Sequence, residues 1–486
     1  MKNKLIDLFG ADKVVFDEDV LKEYANLADG TMGKVPAAVV FPKSAEDVEK
    51  AINEAKKTNI PVVTVSSRGP RYLGNAVPGK EGSLVLDMSR MNKVLSINRQ
   101  QRMAVVEPGV TYEEFLPALA EKDLTVSMPF APKAGKSVLA SVAEIEPRLN
   151  CIRQWNYVEP LRCLEVVWGD GKRMRTGDAF GGPADLAMQQ SRQKWQLDAP
   201  GPMMVDYYRL ITGSMGTMGV ATWASIRCDI LPKMHESFFA ASDDLDAVTD
   251  FVYKVIYPRF SDELFIVNRS CLTALLKTRG KATTFKLPEW IAMVGIAGRD
   301  CAYELRVKGQ SEDIEKIAQK CGLKLVKDLC GVDADEAMEM AKSSCPEGHY
   351  WKTESKGAFE DIFFMSTLDR ASGFNDVVKK TACETGVRWE DIMVYYQPAH
   401  QGVSCHIEYV IPFDPANERE RQKTGKLALM LTDALLDAGA YFSRPYRNWA
   451  KAQIGRDETT KDLIFKIKDI FDPAHIMNPG KLGEEI

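Results

Sequence analysis

A strand, a helix and a second strand that runs into a loop rich in glycine and proline constrain the fold of this chain most. The first strand is expected over residues 35–42, a short apolar run bounded by prolines. A helix with Ser44 as its cap and acidic residues in its first turn follows. The second strand, residues 60–65, leads into the loop SSRGPRYLGNAVP at residues 66–78. This order is typical of an α/β unit that binds a nucleotide, although the loop has neither the G-x-G-x-x-G nor the Walker pattern.

The sequence after this unit predicts further strands, a helix and a hairpin. Strands are expected over residues 83–88 and 103–109, and Thr111 is placed to cap a helix. Residues 164–176 predict a hairpin, because Asp-Gly between two strand-like runs is a strong turn signal. Residues 177–205 show little periodicity and are expected to form a long loop over a site.

Beyond residue 232 the pattern changes to longer units typical of a separate α+β domain with an antiparallel sheet. A domain boundary near residue 235 is therefore expected. The predicted elements are helices over 244–257 and 311–321 and strands over 290–297, 301–307 and 323–326.

Composition favours small-molecule chemistry. Lys and Arg total 63 against 68 Asp and Glu, so the net charge of −5 offers no basic surface for nucleic acid or an anionic membrane. We expect no membrane span and, since the first residues lack a secretory pattern, a cytoplasmic protein. The 10 cysteines form no Cys-x-x-Cys pair, so they are expected to be reduced thiols and no metal site is predicted.

Several strings in the expected order resemble the flavoproteins with a p-cresol methylhydroxylase-type FAD-binding domain, which include vanillyl-alcohol oxidase, glycolate oxidase and D-lactate dehydrogenases. The resemblance covers roughly residues 35–232 and 390–486. It rests on the loop at 66–78 and on four further strings: LDMSRMNKV at 86–94, VEPGVTY at 106–112, GTMGV at 216–220 and IFDPAHIMNPGKL at 470–482.

The resemblance implies an α+β fold, with a two-part FAD-binding domain and an α+β cap domain that holds an antiparallel sheet. The implied division is an N-terminal helical segment at 1–34, the FAD-binding domain at 35–235, the cap or substrate domain at 236–445, and a C-terminal segment at 446–486 that returns to the FAD domain. A homodimer is the usual state of such relatives and is expected here.

FAD is the implied cofactor. Glycines let backbone N–H groups approach a diphosphate, and arginines donate charge-assisted hydrogen bonds to it. The KSVLAS segment at 136–141 resembles the family's segment beside the flavin, but it lacks the usual adjacent glycines. The residues that the resemblance assigns to FAD are Ser67, Arg68, Gly69, Pro70, Arg71, Gly74, Pro78, Ser137, Ser141, Gly219, Val220 and Lys481.

Four residues are implied as catalytic. Arg444 lies in AGAYFSRPY at 438–446, which resembles the stretch that holds a flavin-facing arginine in the phenol-oxidising branch. A fixed guanidinium there would stabilise negative charge on reduced flavin. Tyr72 and Tyr441 are expected to hold a substrate phenolate. His406 is expected to face the flavin or substrate, and we expect non-covalent FAD rather than a bond through His406.

Two departures qualify the match to the phenol-oxidising branch. Asn156 stands where that branch often has an acidic residue, and an amide cannot accept a proton there. Cys151, Arg153, Gln154 and Trp155 replace the usual glycine-rich approach to that position.

The predicted activity is therefore hydride transfer from a small alcohol or para-substituted phenol to FAD, with electrons passed to an external acceptor or a redox partner protein. Two alternatives stay open: a 2-hydroxy-acid dehydrogenase, in which Arg444 or Arg153 clamps a carboxylate, and an electron-transfer subunit of a larger complex without its own substrate. The hydroxy-acid relatives usually carry a His-Gly-x-x-x-x-His metal motif, and this sequence does not.

Overall fold

The structure, a computed structural model, describes residues 2–27, 33–72, 74–153, 159–180, 188, 201, 205–281, 286–299, 301–446 and 448–483. The helices are α1 (Lys2–Phe9), α2 (Glu18–Ala25), α3 (Ala45–Thr58), α4 (Tyr112–Ala120), α5 (Val138–Ala143), α6 (Leu245–Ile256), α7 (Arg269–Lys277), α8 (Tyr303–Lys320), α9 (Ala334–Lys342), α10 (Ala371–Thr385), α11 (Glu418–Asp437), α12 (Asn448–Ile454) and α13 (Glu458–Phe471). The strands before the cap are β1 (Val14–Val15), β2 (Ala38–Val40), β3 (Val62–Val65), β4 (Leu84–Asp87), β5 (Val94–Asn98), β6 (Met103–Val106), β7 (Leu124–Thr125), β8 (Leu161–Trp168), β9 (Arg173–Arg175), β10 (Gly219–Arg227) and β11 (Asp229–Ile230). Those that follow are β12 (Met234–Ser242), β13 (Glu263–Asn268), β14 (Trp290–Gly298), β15 (Leu325–Val326), β16 (Asp328–Leu329), β17 (Val332–Asp333), β18 (Ala358–Ser366), β19 (Met393–Ala399) and β20 (Ser404–Phe413).

The first sheet has the strand order β1-β2-β4-β3, in which β4 is parallel to both β2 and β3. Helix α3 connects β2 to β3, as the sequence predicts. Its cap is Ser44, whose hydroxyl accepts a hydrogen bond from the N–H of Asp47 at 3.3 Å. The buried face of α3 carries Val48, Ala51 and Ile52, which recur at helical spacing and pack on the sheet.

The second sheet is antiparallel, with the order β5-β6-β10-β8-β9. It contains the predicted hairpin, β8 and β9, with Asp170 and Gly171 in the turn. Gly171 has a φ of +84°, and a Cβ there would lie 2.3 Å from Oδ1 of Asn53 on α3. Glycine is therefore required both by the turn and by the close approach of the hairpin to the first sheet's helix.

The cap is a larger antiparallel sheet with the order β15-β12-β14-β13-β19-β20-β18. Its central strands are buried along their whole length, because apolar clusters lie against both faces. The predicted α+β class with an antiparallel cap sheet is confirmed.

The end of the chain packs on the first sheet. The N–H of Val62 donates to the carbonyl of Ile476 at 2.7 Å, and the N–H of Asn478 donates to the carbonyl of Val62 at 2.8 Å. Lys468 and Asp472, both fully buried, form an ion pair at 2.8 Å. These contacts join the C-terminal segment to the strand that precedes the glycine- and proline-rich loop.

One predicted element is wrong. The strand expected over residues 301–307 belongs to helix α8, which also includes the helix predicted from 311. Val307, Ile314 and Ala318 are buried at helical spacing, whereas Leu305 is 73% exposed, so the apparent alternation around it did not mark a sheet face. Most of the predicted loop at 177–205 lies outside the described residues.

Two features of the described ranges bear on function. None of the helices there is long and apolar enough to cross a membrane. The same ranges hold no group of three or more His, Cys, Asp or Glu side chains arranged to bind a metal ion.

Candidate functional site

A large cleft lies between the first part of the chain and the cap sheet. Its lining comes from residues 64–76 and 129–147 on one side, and from residues 350–363, β19, β20 and Arg444 on the other. The space between these residues is about 1200 Å³, part of which is open to solvent.

The predicted phosphate loop forms one wall of this cleft, where it is hydrogen-bonded to a second loop that contains Gly135 and Ser137. The hydroxyl of Ser67 accepts a hydrogen bond from the N–H of Ser137 at 3.1 Å, and the N–H of Arg68 donates to the carbonyl of Gly135 at 3.0 Å. Gly135 has a φ of +67°, and a Cβ there would lie 2.8 Å from Cβ of Arg68. A Cβ on Gly69 would meet nothing within 4 Å, so the backbone is open there. Of the predicted cofactor residues, Ser67, Arg68, Pro70 and Arg71 line the cleft.

Buried polar atoms in the cleft wall favour a polar ligand. Oγ1 of Thr64, Nε of Arg71 and Nε1 of Trp351 are buried without a hydrogen-bond partner among the described residues. Since buried polar groups are almost always hydrogen-bonded, these atoms fit a ligand with donors and acceptors along its length. The open loop and these atoms together fit the diphosphate and ribityl parts of FAD.

The remaining predicted cofactor residues do not line the cleft. Gly74 accepts a hydrogen bond from Nζ of Lys481 at 2.7 Å, which ties the chain end to the loop. Ser137 caps α5, and its hydroxyl donates to the carbonyl of Pro108 at 2.5 Å. Pro78, at the end of the loop, is buried. Gly219 and Val220 begin β10, where they pair with β8.

Aromatic rings from both sides of the cleft meet and form an aromatic wall. The ring of Tyr72 lies 5.2 Å from the rings of both Tyr350 and Phe359, and Phe130 stacks on Tyr395 with ring centroids 4.6 Å apart. Burial raises the pKa of Tyr72 to about 12, so its hydroxyl stays protonated at neutral pH and can donate a hydrogen bond. This wall suits a flat, apolar ring with an oxygen at one end.

A buried charged cluster also lines the cleft. We call Lys352, Asp361, His406 and Glu408 the cap cluster. Lys352 donates to Asp361 at 2.7 Å and also to Glu408, and Nε2 of His406 lies 3.0 Å from Oε2 of Glu408. The contacts bring together residues from the segment before β18, from β18 and from β20.

The protonation states within the cap cluster follow from its pairing. Burial disfavours the charged form of Glu408, but the Lys352 ammonium and the His406 hydrogen bond outweigh it and lower the pKa of Glu408. Burial likewise opposes the charge of Lys352, but Asp361 and Glu408 raise its pKa well above the usual value. Burial lowers the pKa of His406. A neutral imidazole that donates from Nε2 to Glu408 keeps Nδ1 as a proton acceptor.

The predicted catalytic residues meet at the cleft, with one exception. Arg444 is 5% exposed and lines the cleft, with its guanidinium 4.3 Å above the ring of Phe363. His406 and Tyr72 also line it. Tyr441 is 56% exposed and joins the edge of β18 through backbone hydrogen bonds to Met365, so its side chain lies outside the cleft.

A second hydrogen-bonded network reaches the cleft from the FAD side. Lys136 binds Glu144 at 2.7 Å and Glu146 at 2.6 Å, and both carboxylates line the cleft. Ser141, a predicted cofactor residue, donates to Glu146 at 2.6 Å and accepts from Tyr112 at 2.9 Å. Burial opposes ionisation of Glu146, yet Lys136, the Ser141 hydrogen bond and the nearby Arg444 lower its pKa.

The sequence analysis did not identify the two groups of charged residues around the predicted site, the cap cluster and the network around Lys136. The signal for Glu408 was present, because it lies two positions after His406 on one strand and therefore on the same face. Lys352 and Lys136 had no comparable local signal. Asn156, Gln154 and Trp155 lie outside the described residues; Cys151 is fully buried.

Comparisons with known proteins agree with this geometry. Residues 36–177 match the family model described as an FAD binding domain. The chain is 29% identical to glycolate oxidase subunit GlcD from Escherichia coli over 92% of this chain and 83% of that protein. It has the fold of p-cresol methylhydroxylase with substrate bound, with a TM-score of 0.82, 18% identity and coverage of 99% and 96% of the two chains. The isoeugenol complex of 4-ethylphenol oxidase from Gulosibacter chungangensis matches with the same score and coverage at 20% identity.

Proposed function

We propose that this chain, whose residues 36–177 match an FAD binding domain, is an FAD-dependent oxidoreductase that oxidises a small para-substituted phenol or aromatic alcohol. The observation that carries the proposal is the aromatic wall of the cleft, where protonated Tyr72 lies beside Tyr350 and Phe359. Flat rings stack favourably against such a wall, and a tyrosine hydroxyl suits a phenolic oxygen.

FAD, when bound, supplies the hydride acceptor for this oxidation. The chain's own residues would bind it through the loop that contains Ser67, Arg68, Gly69 and Arg71, with Gly74, Pro78, Ser137, Ser141, Gly219, Val220 and Lys481 in support. The buried atoms of Thr64 and Arg71 add donors on the same side. Non-covalent binding is supported by His406, whose Nε2 is already engaged by Glu408.

The residues around the substrate would orient it, stabilise its negative charge and accept its proton. Tyr72 would donate a hydrogen bond to the substrate oxygen, and Arg444 would stabilise negative charge that develops during hydride loss. Nδ1 of His406 would accept the proton of the substrate hydroxyl, and Glu408 would stabilise the imidazolium that results. Lys352 holds Glu408 in place.

A 2-hydroxy acid is the second candidate substrate, favoured by the cations that line the cleft. Arg71, Lys133 and Arg444 all face it, and burial, aided by Lys136 and Arg71, lowers the pKa of Lys133 to about 7. A carboxylate among these groups would form charge-assisted hydrogen bonds. The similarity to the glycolate oxidase subunit favours the same class.

Anaerobic reduction of the FAD-loaded protein distinguishes the candidates. We expect a 4-alkylphenol or a 4-hydroxybenzyl alcohol to bleach the flavin, and D-lactate and glycolate to leave it yellow. Bleaching by the hydroxy acids alone would overturn the proposal, and bleaching only by a reduced carrier protein would indicate an electron-transfer subunit.

The matched variants are Tyr72→Phe and Tyr257→Phe, since Tyr257 is 76% exposed. Loss of one hydrogen bond to a charged oxygen, about 1.5–3 kcal/mol, predicts a roughly 10- to 150-fold slower reduction in Tyr72→Phe and none in Tyr257→Phe. Equal reduction rates in the two variants would contradict the assignment of Tyr72.

A further inference from the structure

A second, smaller cavity lies away from the cofactor cleft, at the ends of β8, β10 and β11. It has an empty volume of about 380 Å³ and is lined by Ser127, Arg148, Asn150, Glu159, Pro160, Arg227 and Asp229. Arg148 and Asn150 are 3% and 5% exposed, so the inner end is buried. Glu159, Arg227 and Asp229 are partly exposed and form its outer end. We call this space the Arg148 cavity.

The guanidinium of Arg148 uses only one of its edges within the protein. Its Nη1 donates to the hydroxyl of Tyr112 at 2.6 Å and lies 3.4 Å from the carbonyl of Ser127. Its Nε and Nη2 are buried without a hydrogen-bond partner among the described residues. These two nitrogens lie on one edge of the planar group and point the same way, which is the fork that binds a carboxylate through two parallel hydrogen bonds.

Two further unpartnered polar atoms line the same cavity. Oγ of Ser127 and Oδ1 of Asn150 are buried and lack hydrogen bonds in the described part of the chain. The Oγ of Ser127 can donate to an anion, and Asn150 can present either its oxygen or its amide N–H because the two ends of an amide can be exchanged. An isolated buried guanidinium edge is unfavourable unless a partner satisfies it.

The Glu159 carboxylate in the cavity lining is paired with arginines other than Arg148. Glu159 is bound by Arg162 at 3.1 Å and by Arg227 at 3.0 Å, so this carboxylate is already compensated. Asp229 is the other carboxylate in the lining. The lining therefore holds two arginines, Arg148 and Arg227, and two carboxylates, of which Glu159 is already paired with Arg227. The nearby His400 adds no charge at neutral pH because burial lowers its pKa.

We propose that the Arg148 cavity binds a small planar monoanion of the carboxylate type, held through Nε and Nη2 of Arg148. The anion's second set of contacts comes from Ser127 and Asn150. The size of the cavity and its Glu159 and Asp229 rim favour a short, singly charged anion over a phosphate ester, because a larger charge would meet those carboxylates.

The proposal is independent of the substrate, since the cavity shares no lining residue with the cofactor cleft. The two are nevertheless linked by hydrogen bonds that run from Arg148 to Tyr112, from Tyr112 to Ser141 and from Ser141 to Glu146 in the cleft wall. Tyr112 and Ser141 are fully buried, so the connection is shielded from solvent.

The test uses sodium formate as the probe and the FAD-loaded full chain as the sample. Formate is titrated in the millimolar range at constant ionic strength set with a bulky sulfonate buffer salt, and binding is followed by calorimetry and by the melting temperature. We expect saturable binding and a rise in melting temperature, because a ligand of the folded state stabilises it. No saturable binding would mean that the cavity holds water only and would overturn the proposal.

Three variants locate the binding. Arg148→Gln is expected to abolish the formate response, and Arg148→Lys to weaken it roughly tenfold or more, because an ammonium cannot form the fork. Arg99→Gln is the charge control, since Arg99 is an exposed arginine just beyond β5 that is paired with Asp123. Arg444→Ala controls for formate in the cofactor cleft.

The expected pattern is a response that persists in Arg99→Gln and Arg444→Ala and is lost in Arg148→Gln. A response that persists in Arg148→Gln, or that disappears in Arg444→Ala, would overturn the assignment. If Arg148→Gln does not fold, Ser127→Ala and Asn150→Leu test the same cavity. Unchanged formate affinity in both would likewise refute the site.

Discussion

Replacement of Lys352 by methionine tests the cap cluster most directly. Lys352 is 8% exposed, donates to both Asp361 and Glu408, and has a raised pKa because those carboxylates outweigh the effect of burial. Methionine keeps the length and the apolar stem but removes the charge. Removal of one partner from a buried ion pair leaves an uncompensated charge and costs about 3–5 kcal/mol. We therefore expect Lys352→Met to lose about 4 kcal/mol of stability at pH 8.

The loss of stability in Lys352→Met should become smaller as pH falls. In the parent, the lowered pKa of Glu408 means that its stabilising contribution is present above the unfolded-state pKa of about 4.3 and is lost as pH falls through the folded-state value. Without Lys352, burial and Asp361 should raise the pKa of Glu408 above the unfolded-state value. The variant would then regain stability as pH falls and the carboxyl takes up a proton. The difference in stability between the parent and Lys352→Met should therefore be smaller at pH 5 than at pH 8.

The control is Lys356→Met. Lys356 is 32% exposed and lies 3.3 Å from Glu420 and 3.6 Å from Asp391, so it forms a solvent-screened pair. Such pairs contribute about 0–1 kcal/mol. The assay is the melting temperature of the FAD-loaded proteins at both pH values, where 1 kcal/mol corresponds to roughly 2–4 °C for a domain of this size.

The reasoning would be refuted if Lys352→Met melted within about 2 °C of Lys356→Met at pH 8. The reasoning would also be refuted if the difference in melting temperature between Lys352→Met and the parent grew as pH fell. Should the single variant not fold, Lys352→Met with Glu408→Gln should recover part of the loss, since the double change removes the charges of both partners. No recovery would show that Lys352 acts through packing rather than charge.

Three further predictions concern the cofactor cleft. Arg444→Ala should bind FAD but lose roughly 3 kcal/mol of transition-state stabilisation, so anaerobic flavin reduction should be about 150-fold slower. Arg444→Lys should recover only part of this rate. If both variants reduce flavin at the parental rate, Arg444 has a structural role only. Acid precipitation should leave the yellow colour in the supernatant, because Nε2 of His406 is engaged by Glu408; colour in the pellet would demonstrate a covalent bond. Deletion of residues 470–486 should release flavin on gel filtration, because it removes the partner of Lys468 and the strand contact to Val62; full retention would contradict this role.

The sequence determined the elements whose signals are local. The cap of α3 at Ser44 needs only an acceptor three residues before an N–H, and the hairpin of β8 and β9 needs only Asp170 and Gly171 between two apolar runs. The FAD-binding domain and the cap were implied by the resemblance of several strings, in order along the chain, to a known family. Local periodicity was also the source of the error at 301–307, where a short stretch of α8 alternates like a strand.

Only the tertiary structure decided which polar side chains meet in the cleft and in the Arg148 cavity. Lys352 and Glu408 are 56 positions apart, and Arg148 and Tyr112 are 36 apart, and no residue near either pair in sequence marks its partner. Their pairing depends on how β18 and β20 align and on how α4 packs, both of which follow from long-range burial. The pKa values follow in turn, because burial and the partner's charge set them, and both are properties of the folded chain rather than of any local pattern.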